Sequence, residues 1–273
     1  MEPGPTLPSV PRANAQVGTG SRGIRSGAAP CYGQRVLRHL AADLLYDAKT
    51  SLARYPSIAV PLQHVRGRGE LIDDRTDVVI EAFPRCASSF AVAAFRLAQE
   101  PTATSIAHHT HMPAQVMRAA QRDMPTMVLL RPAVDAVVSH VIRSPDLGAR
   151  AAMRGYLRFY ETLLQLRDHY VTATFDEVIG GFGAAIERLN VRFGTTFVPF
   201  EHTTENVARI EREIERDYRA REGSGERLEA IIPRPSASRD AVKAEVRARI
   251  SREVSPQMLA EAHAIYQALL PRP

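Results

Sequence analysis

The chain of 273 residues has no tryptophan, only two cysteines and no long uninterrupted apolar run. A membrane-spanning helix needs about 18 or more consecutive apolar residues, so no span is expected. Cys31 and Cys86 are too few for a disulfide framework, and they favour a reducing, cytoplasmic setting. The sequence therefore predicts a soluble protein that is stabilised by its core and not by disulfides.

Acidic residues are also under-represented, because 35 Lys and Arg outnumber 30 Asp and Glu and give a formal net charge of +5. An excess of positive charge favours an anionic partner without naming it. On charge alone, nucleic acid, an acidic membrane surface and a phosphorylated ligand all remain open. Hydrophobic residues make up 45% of the chain, which is enough for a sizeable core.

The first 33 residues lack hydrophobic periodicity and are rich in Pro, Gly and Ser. Such a segment cannot bury enough apolar surface to offset the entropy of ordering, so a disordered tail is expected over residues 1–33. It also lacks the continuous apolar region of a secretory signal. The remaining residues, 34–273, are expected to form one domain.

Short apolar segments alternate with segments of helical periodicity from about residue 76 onwards. A strand followed by a helix, repeated several times, predicts a mostly parallel sheet that is covered by helices on both faces. The expected fold class is therefore three-layer α/β/α. The expected strands are Thr76–Phe83, Thr102–His109, Pro125–Leu130 and His169–Phe175.

The first candidate site is the turn after the first expected strand, Pro84-Arg85-Cys86-Ala87-Ser88-Ser89-Phe90. The first N–H groups of a helix are unpaired and carry partial positive charge, so this turn suits a phosphate, with Ser88 and Ser89 as hydroxyl donors. It lacks the glycines and lysine of G-x-x-x-x-G-K-[ST], which counts against a metal-dependent nucleotidase. The alternative is a serine-capped helix that binds nothing.

The second candidate site lies in the segment Leu129–Ser144. Arg131 follows a strand, and Ser139 lies on the next helix, eight residues later. An arginine fork and a hydroxyl at the carboxyl edge of a parallel sheet would suit a second phosphate. The alternative is an arginine that braces a loop beside an ordinary helical serine.

Together the two segments resemble the sulfotransferase family, whose members use 3′-phosphoadenosine 5′-phosphosulfate as the sulfuryl donor. The resemblance covers about Thr76 to Phe197, includes Phe175–Val178, and implies a P-loop-like fold. Three positions depart from the family pattern, since Ala87 replaces a glycine, Pro132 replaces Asp or Asn, and Ala133 replaces a proline. The donor-binding residues that the resemblance implies are Arg85, Cys86, Ala87, Ser88, Ser89, Phe90, Arg131 and Ser139.

The resemblance also implies a reaction, in which a sulfuryl group moves from the donor to a hydroxyl or amine of a small-molecule or carbohydrate acceptor. Arg85 stands where the family has its catalytic lysine, beside the departing oxygen, and its fork can bind the developing charge. No metal cofactor and no nucleic-acid partner are expected. Two alternatives remain: a nucleotide-binding relative with little or no activity, and a P-loop-like kinase.

Three histidines, His108, His109 and His111, follow the second expected strand. Histidine titrates near neutral pH and is the usual general base. Because alternate residues of a strand point the same way, His109 and His111 are expected to share the site, with His109 as the preferred base. A metal site and simple loop packing are the alternatives.

Overall fold

A parallel sheet of four strands lies at the centre of the described residues, which are 32–67, 69–222 and 237–271 of a computed structural model. The strands are β1 (Val78–Ala82), β2 (Ile106–His108), β3 (Thr126–Leu130) and β4 (Val171–Thr174). The helices are α1 (Tyr32–Leu52), α2 (Pro56–Arg66), α3 (Ser88–Ala98), α4 (Pro113–Gln121), α5 (Ala133–Arg143), α6 (Ala149–Leu164), α7 (Phe175–Phe193), α8 (Thr204–Glu222), α9 (Ala237–Glu253) and α10 (Pro256–Leu269).

The strand order is β2-β1-β3-β4, and all neighbouring strands pair in parallel. Every residue of β1 and β3 is buried, which explains why these strands are mostly apolar, with Glu81 and Thr126 as their polar residues. The chain leaves β1 for β2 on one side and then crosses to β3 on the other. The carboxyl ends of β1 and β3 therefore flank a topological switch point, where open α/β sheets bind ligands.

Helices cover both faces of the sheet. On one face, α3 contacts β1 and β2 and packs against α7 and α8. On the other face, α4 contacts β1 and β3 and packs against α6, which in turn contacts α1, α5, α9 and α10. The expected three-layer α/β architecture with a parallel sheet is confirmed.

The boundaries differ from expectation in several places, since β2 begins at Ile106 and not at Thr102, and β4 spans only Val171–Thr174. Strand β2 ends at His108, because His109 and His111 have φ values of 58° and 53° and leave the extended conformation. A further helix, α2, begins at Pro56, since proline suits the first helical position. Residues 1–31 of the expected tail lie outside the described residues, and its last two positions are helical. Among the described helices, none is long and apolar enough to cross a membrane.

Candidate functional site

The two candidate segments meet at the switch point between β1 and β3. Arg85 is the residue that joins them. Its Nε donates a hydrogen bond to Oγ of Ser139 at 3.0 Å, and its carbonyl accepts one from Nη1 of Arg131 at 2.9 Å. Arg131 and Ser139 thus both contact Arg85, one through its backbone and the other through its guanidinium group.

The turn before α3 has an unusual backbone. Arg85 and Ala87 have φ values of 73° and 67°, in the left-handed region that non-glycine residues rarely adopt. Helix α3 begins at Ser88 without a side-chain cap. Strained conformations of this kind concentrate at functional sites, where the surrounding structure maintains them. The alanine that stands in place of glycine therefore keeps the left-handed turn.

Ser88 lies at the first position of α3, and its hydroxyl is buried without a hydrogen-bond partner. A buried polar group without a partner costs stability, so such groups point to something that binds there. Three features at this helix end fit an anion: an unpartnered hydroxyl, the free N–H groups of the first turn and the nearby guanidinium group of Arg85.

Two other residues of the turn, Cys86 and Phe90, pack against neighbouring side chains, and only Cys86 is fully buried. Cys86 is fully buried with its Sγ 3.5 Å from the hydroxyl of Tyr160, and burial raises the pKa of its thiol to about 11. Cys86 can therefore offer a ligand only its backbone. Phe90 packs its ring against Phe200 and His202, at centroid distances of 6.3 and 5.9 Å.

Both the side chain and the backbone of Arg131 are fixed by neighbouring aromatic residues. Its guanidinium group stacks over the ring of Phe175 at 3.9 Å, and its carbonyl accepts a hydrogen bond from the hydroxyl of Tyr156 at 2.9 Å. Burial lowers the pKa of Arg131, with the neighbouring Arg85 charge acting in the same direction. Arginine nevertheless stays protonated in proteins, so a fixed positive charge lies beside the turn.

His109 is part of a chain of hydrogen bonds in which the direction of each bond can be assigned. Arg96 can only donate, so Nε2 of His108 accepts from it at 2.9 Å. Neutral His108 then donates from Nδ1 to Nδ1 of His109 at 2.6 Å. His109 in turn donates from Nε2 to the hydroxyl of Ser89 at 3.3 Å. Both ring nitrogens of His109 are therefore engaged.

His111 is arranged differently. Its Nδ1 donates to the carbonyl of Ala82 at 2.8 Å, which fixes the tautomer and leaves the lone pair on Nε2. Burial lowers the pKa of His111 to about 4, and the charges of Lys49 and Arg85 act in the same direction. The imidazole is thus neutral near pH 7 and lies close enough to sense Arg85.

A buried carboxylate, Glu81 on β1, holds the histidine segment and had no place in the sequence-based expectations. It accepts hydrogen bonds from the backbone and hydroxyl of Thr110 at 2.9 and 2.7 Å, from the backbone of His111 at 3.0 Å and from Gln115 at 3.2 Å. Burial nevertheless raises the pKa of Glu81 to about 7. The signal in the sequence was a single acid inside a buried strand, because such a group requires partners.

A cleft of about 230 Å³ lies between α1 and the turn that joins α5 to α6. His140 borders it, and the buried Nε2 of this histidine has no hydrogen-bond partner. Burial lowers the pKa of His140 to about 3, and His111 and Arg85 contribute to the shift. The cleft is therefore next to the site. It is lined by Ala42, Tyr46, His140, Ser144, Pro145, Asp146 and Leu147.

Within the described residues, no three His, Cys, Asp or Glu side chains are grouped so that they could hold a metal ion.

Neither a protein-family model nor a curated protein sequence matches the chain. Among solved structures, the crystal structure of mouse sulfotransferase SULT7A1 complexed with PAP is similar over 74% of this chain and 87% of that chain, with 12% identity and a TM-score of 0.37. These values carry no information about the function of the present chain.

Proposed function

We propose that residues 34–273 form a sulfotransferase domain that moves a sulfuryl group from 3′-phosphoadenosine 5′-phosphosulfate to a hydroxyl or amine. The observation that carries the proposal is the position of Arg85, which contacts both Arg131 and Ser139 at the switch point of the sheet. Two positive charges and a helix N-terminus at one sheet edge suit a ligand with two separate anionic groups.

The turn residues 85–90 would bind the 5′-phosphosulfate end of the donor. The unpartnered hydroxyl of Ser88 and the N–H groups of the first turn of α3 would donate to its oxygens. Phe90, beside Phe200 and His202, offers an aromatic surface for the base. Arg131 and Ser139 would hold the 3′-phosphate, and this requires Ser139 to exchange its contact with Arg85 for the ligand.

Arg85 would stabilise the departing phosphate oxygen. In the transfer, the bond from sulfur to the acceptor oxygen forms while the bond from sulfur to the 5′-phosphate oxygen breaks, and negative charge gathers on that phosphate. A guanidinium fork can bind this charge in a defined geometry. The positive φ of Arg85 and the bond from Arg131 to its carbonyl hold the backbone of Arg85 beside the donor site.

His111 is the better general base on geometry, although the sequence alone favoured His109. The acceptor hydroxyl must give its proton to an unprotonated nitrogen. His109 uses both nitrogens within the chain to Ser89, whereas Nε2 of His111 keeps its lone pair. The low pKa of His111 in the free protein would rise beside an anionic donor, toward the range in which a base is efficient.

The cleft beside His140 is the proposed entrance for the acceptor. It is bordered mainly by apolar side chains, and it adjoins the residues assigned to the donor. Its volume of about 230 Å³ is below the usual range for drug-sized ligands, which favours an acceptor with a small ring or a short chain at its reactive end.

The first experiment is a thermal-shift comparison of 3′,5′-adenosine bisphosphate with AMP and ATP. A ligand that binds only the folded state raises the melting temperature by mass action. We expect a larger rise with the bisphosphate than with either of the others, because only it carries a 3′-phosphate for Arg131. The Arg131→Ala variant should show no larger rise with the bisphosphate than with AMP or ATP. The matched surface control, Arg209→Ala, should keep the larger rise.

Transfer itself is then measured with a radiolabelled donor and a panel of small phenols, alcohols and amines. Labelled product that disappears in Arg85→Ala would support the full proposal. Selective binding of the bisphosphate without transfer to any acceptor would favour a nucleotide-binding relative without turnover. Equal shifts with AMP and the bisphosphate would contradict the assigned donor site.

A further inference from the structure

Helix α1 contacts the rest of the protein through its polar side. Asp43 accepts a hydrogen bond from the backbone of Gly148 at 2.7 Å, and Asp47 accepts one from Arg158 at 2.6 Å and pairs with Arg154. Burial tends to raise the pKa of Asp47, but its bonds to the two arginines outweigh this and lower it, so it remains charged. The ionic side of α1 is therefore fixed against α6.

The opposite side of α1 is apolar and faces away from the protein. Leu37, Leu44 and Leu45 are 67%, 70% and 73% exposed, although leucine is normally among the most buried residues. At 3.6 residues per turn, Leu45 lies roughly opposite Asp43 and Asp47, whereas Leu44, three residues before Asp47, lies at the edge between the two sides. A helix that packs through two aspartates and Tyr46 but exposes its leucines is the reverse of an ordinary surface helix, and contiguous exposed apolar patches mark interaction sites.

The exposed charges on this part of the chain have one sign. Arg38 borders the leucines on α1, Arg54 and Arg66 are exposed at and after its end, and the charge of Lys49 also acts on His111. The two acids of α1, Asp43 and Asp47, are directed to α6. Within the described parts of α1 and α2, the exposed Asp, Glu, Lys and Arg side chains are thus all basic.

We propose that α1 binds an anionic membrane surface, with its leucines inserted among the lipid headgroups and its basic residues against acidic lipids. An amphipathic helix with leucines on one side and lysine or arginine beside them is the usual form of an interfacial anchor. Acidic lipids attract each nearby basic residue, and this attraction adds to the burial of the leucines. This inference does not depend on the proposed reaction.

A second copy of the chain is the less suitable occupant. Pairing two α1 helices through their leucines would bring the basic borders of both helices together. Neither α1 nor α2 offers an exposed acid within its described residues to offset this repulsion. Like charges at an interface oppose association, whereas an anionic surface gains from the same arrangement.

The test is co-sedimentation of the full chain with vesicles of phosphatidylcholine alone or with about one-third phosphatidylserine. We expect binding to the mixed vesicles that is at least about 10-fold stronger than binding to phosphatidylcholine. Because surface charges are screened, binding should weaken as salt is raised well above about 0.1 M.

Variants separate the two parts of the surface. Leu44→Glu/Leu45→Glu removes the apolar contact and should weaken binding at least about 10-fold, while Arg38→Glu should reduce the preference for acidic vesicles. The matched control is Val191→Glu on α7, which makes the same kind of change at a side chain that is 86% exposed. It should bind as the unmodified chain does. All these side chains are exposed, so each variant should fold, as circular dichroism can verify.

Several outcomes would overturn the proposal. The first is that the chain does not bind the mixed vesicles. The second is that the leucine variant binds them as well as Val191→Glu does. The third is that binding depends neither on salt concentration nor on the charge of the lipid. Light scattering that gives twice the chain mass, lost in the leucine variant and accompanied by no vesicle binding, would instead assign the leucines to contact with a second copy.

Discussion

The Nε of Arg85 donates a hydrogen bond of 3.0 Å to Oγ of Ser139, 54 positions later in the chain. This bond joins the turn after β1 to the helix after β3, and the contact of Arg131 with the Arg85 carbonyl reinforces it. A ligand that binds between the two segments must replace the bond to Ser139 while keeping the one to the backbone. The backbone of Arg85 is thus held before a ligand binds, while its guanidinium group is free to change partner.

Arg85→Ala should abolish sulfuryl transfer and leave much of the nucleotide affinity. The guanidinium group acts on charge that develops during the reaction, so its loss reduces the turnover number more than binding. Steady-state kinetics and calorimetry with the bisphosphate measure the two effects. Arg85→Lys keeps the charge without the fork and should retain intermediate activity. Full activity in Arg85→Ala would refute the role of this residue at the leaving group.

Arg131→Ala should weaken binding of 3′,5′-adenosine bisphosphate by at least about 2 kcal/mol, the cost of losing a hydrogen bond to a charged group. Affinity for AMP should change much less, because AMP has no 3′-phosphate. Calorimetry on both nucleotides gives the comparison. Arg209→Ala removes an exposed arginine that pairs with Glu100 and serves as the control. A parallel loss for both nucleotides would mean that Arg131 only supports the turn.

Ala87→Gly should stabilise the protein. Alanine at a φ of 67° carries strain of about 1 kcal/mol or more, and glycine relieves it at a smaller entropic cost. Urea unfolding should therefore give a free energy that is higher by roughly 0.5 kcal/mol or more. The same change at Ala94, inside α3, should instead destabilise by about 1 kcal/mol. Destabilisation of similar size at both positions would argue against a left-handed residue 87.

Glu81→Gln should change how stability depends on pH. The pKa of Glu81 is raised from 4.5 to about 7 in the folded protein, so the folded state holds a proton that the unfolded state has lost. Its contribution to stability is complete below about pH 4.5 and disappears as the pH rises to about 7. Glutamine does not titrate, so the variant does not lose stability in this way. Between about pH 4.5 and 7, the free energy of unfolding of the variant should rise relative to that of the unmodified chain by up to about 1.4 kcal/mol per pH unit.

The free energy of unfolding of Glu81→Gln must be compared with that of the unmodified chain at each pH. His111 and His140 also make stability depend on pH, but in the opposite direction to Glu81. Burial lowers their pKa values to about 4 and 3, so the folded state stays neutral where the unfolded state is protonated. Their contribution increases with pH, and it cancels when the variant is subtracted. A pH-independent difference in urea unfolding would contradict the raised pKa of Glu81.

The sequence was sufficient for the parallel sheet and for the placing of both candidate segments at its carboxyl edge. Parallel strands end at one edge, so residues that follow two neighbouring strands must meet. The partners of Glu81 could not be found in this way, because Thr110 and Gln115 are 29 and 34 positions distant and are brought there by packing.

Two other expectations depended on information that periodicity does not contain. The alternation argument for the histidines assumed an extended chain, but the bonds from Glu81 to Thr110 and His111 accompany a turn with positive φ at residues 109 and 111. The leucine spacing in α1 is that of a helix, but spacing does not indicate which side of a helix faces the protein, because here Asp47 and the arginines of α6 decide that.

Separate replacement of His108, His109 and His111 by alanine tests the assignment of the base. We expect His111→Ala to lower the turnover number about 10²- to 10⁴-fold with little change in donor affinity, because the imidazole acts on the acceptor's proton. His109→Ala should cost less and should act through the donor site, since its ring bonds to Ser89 at 3.3 Å. His108→Ala is the control for loss of the hydrogen-bond chain.

Donor affinity distinguishes the possible results. A large loss of turnover in His109→Ala with unchanged donor binding would restore His109 as the base, and it would mean that the chain to His108 and Ser89 rearranges when the acceptor binds. Equal losses in all three variants, accompanied by sensitivity to a chelator, would favour a metal-dependent reaction.

With His111 as the base, activity should also fall as the pH approaches its pKa of about 4 from above, because the protonated imidazole cannot accept a proton. A donor-bound enzyme should lose activity at a higher pH than that, since the anionic sulfate raises the pKa of the imidazole beside it.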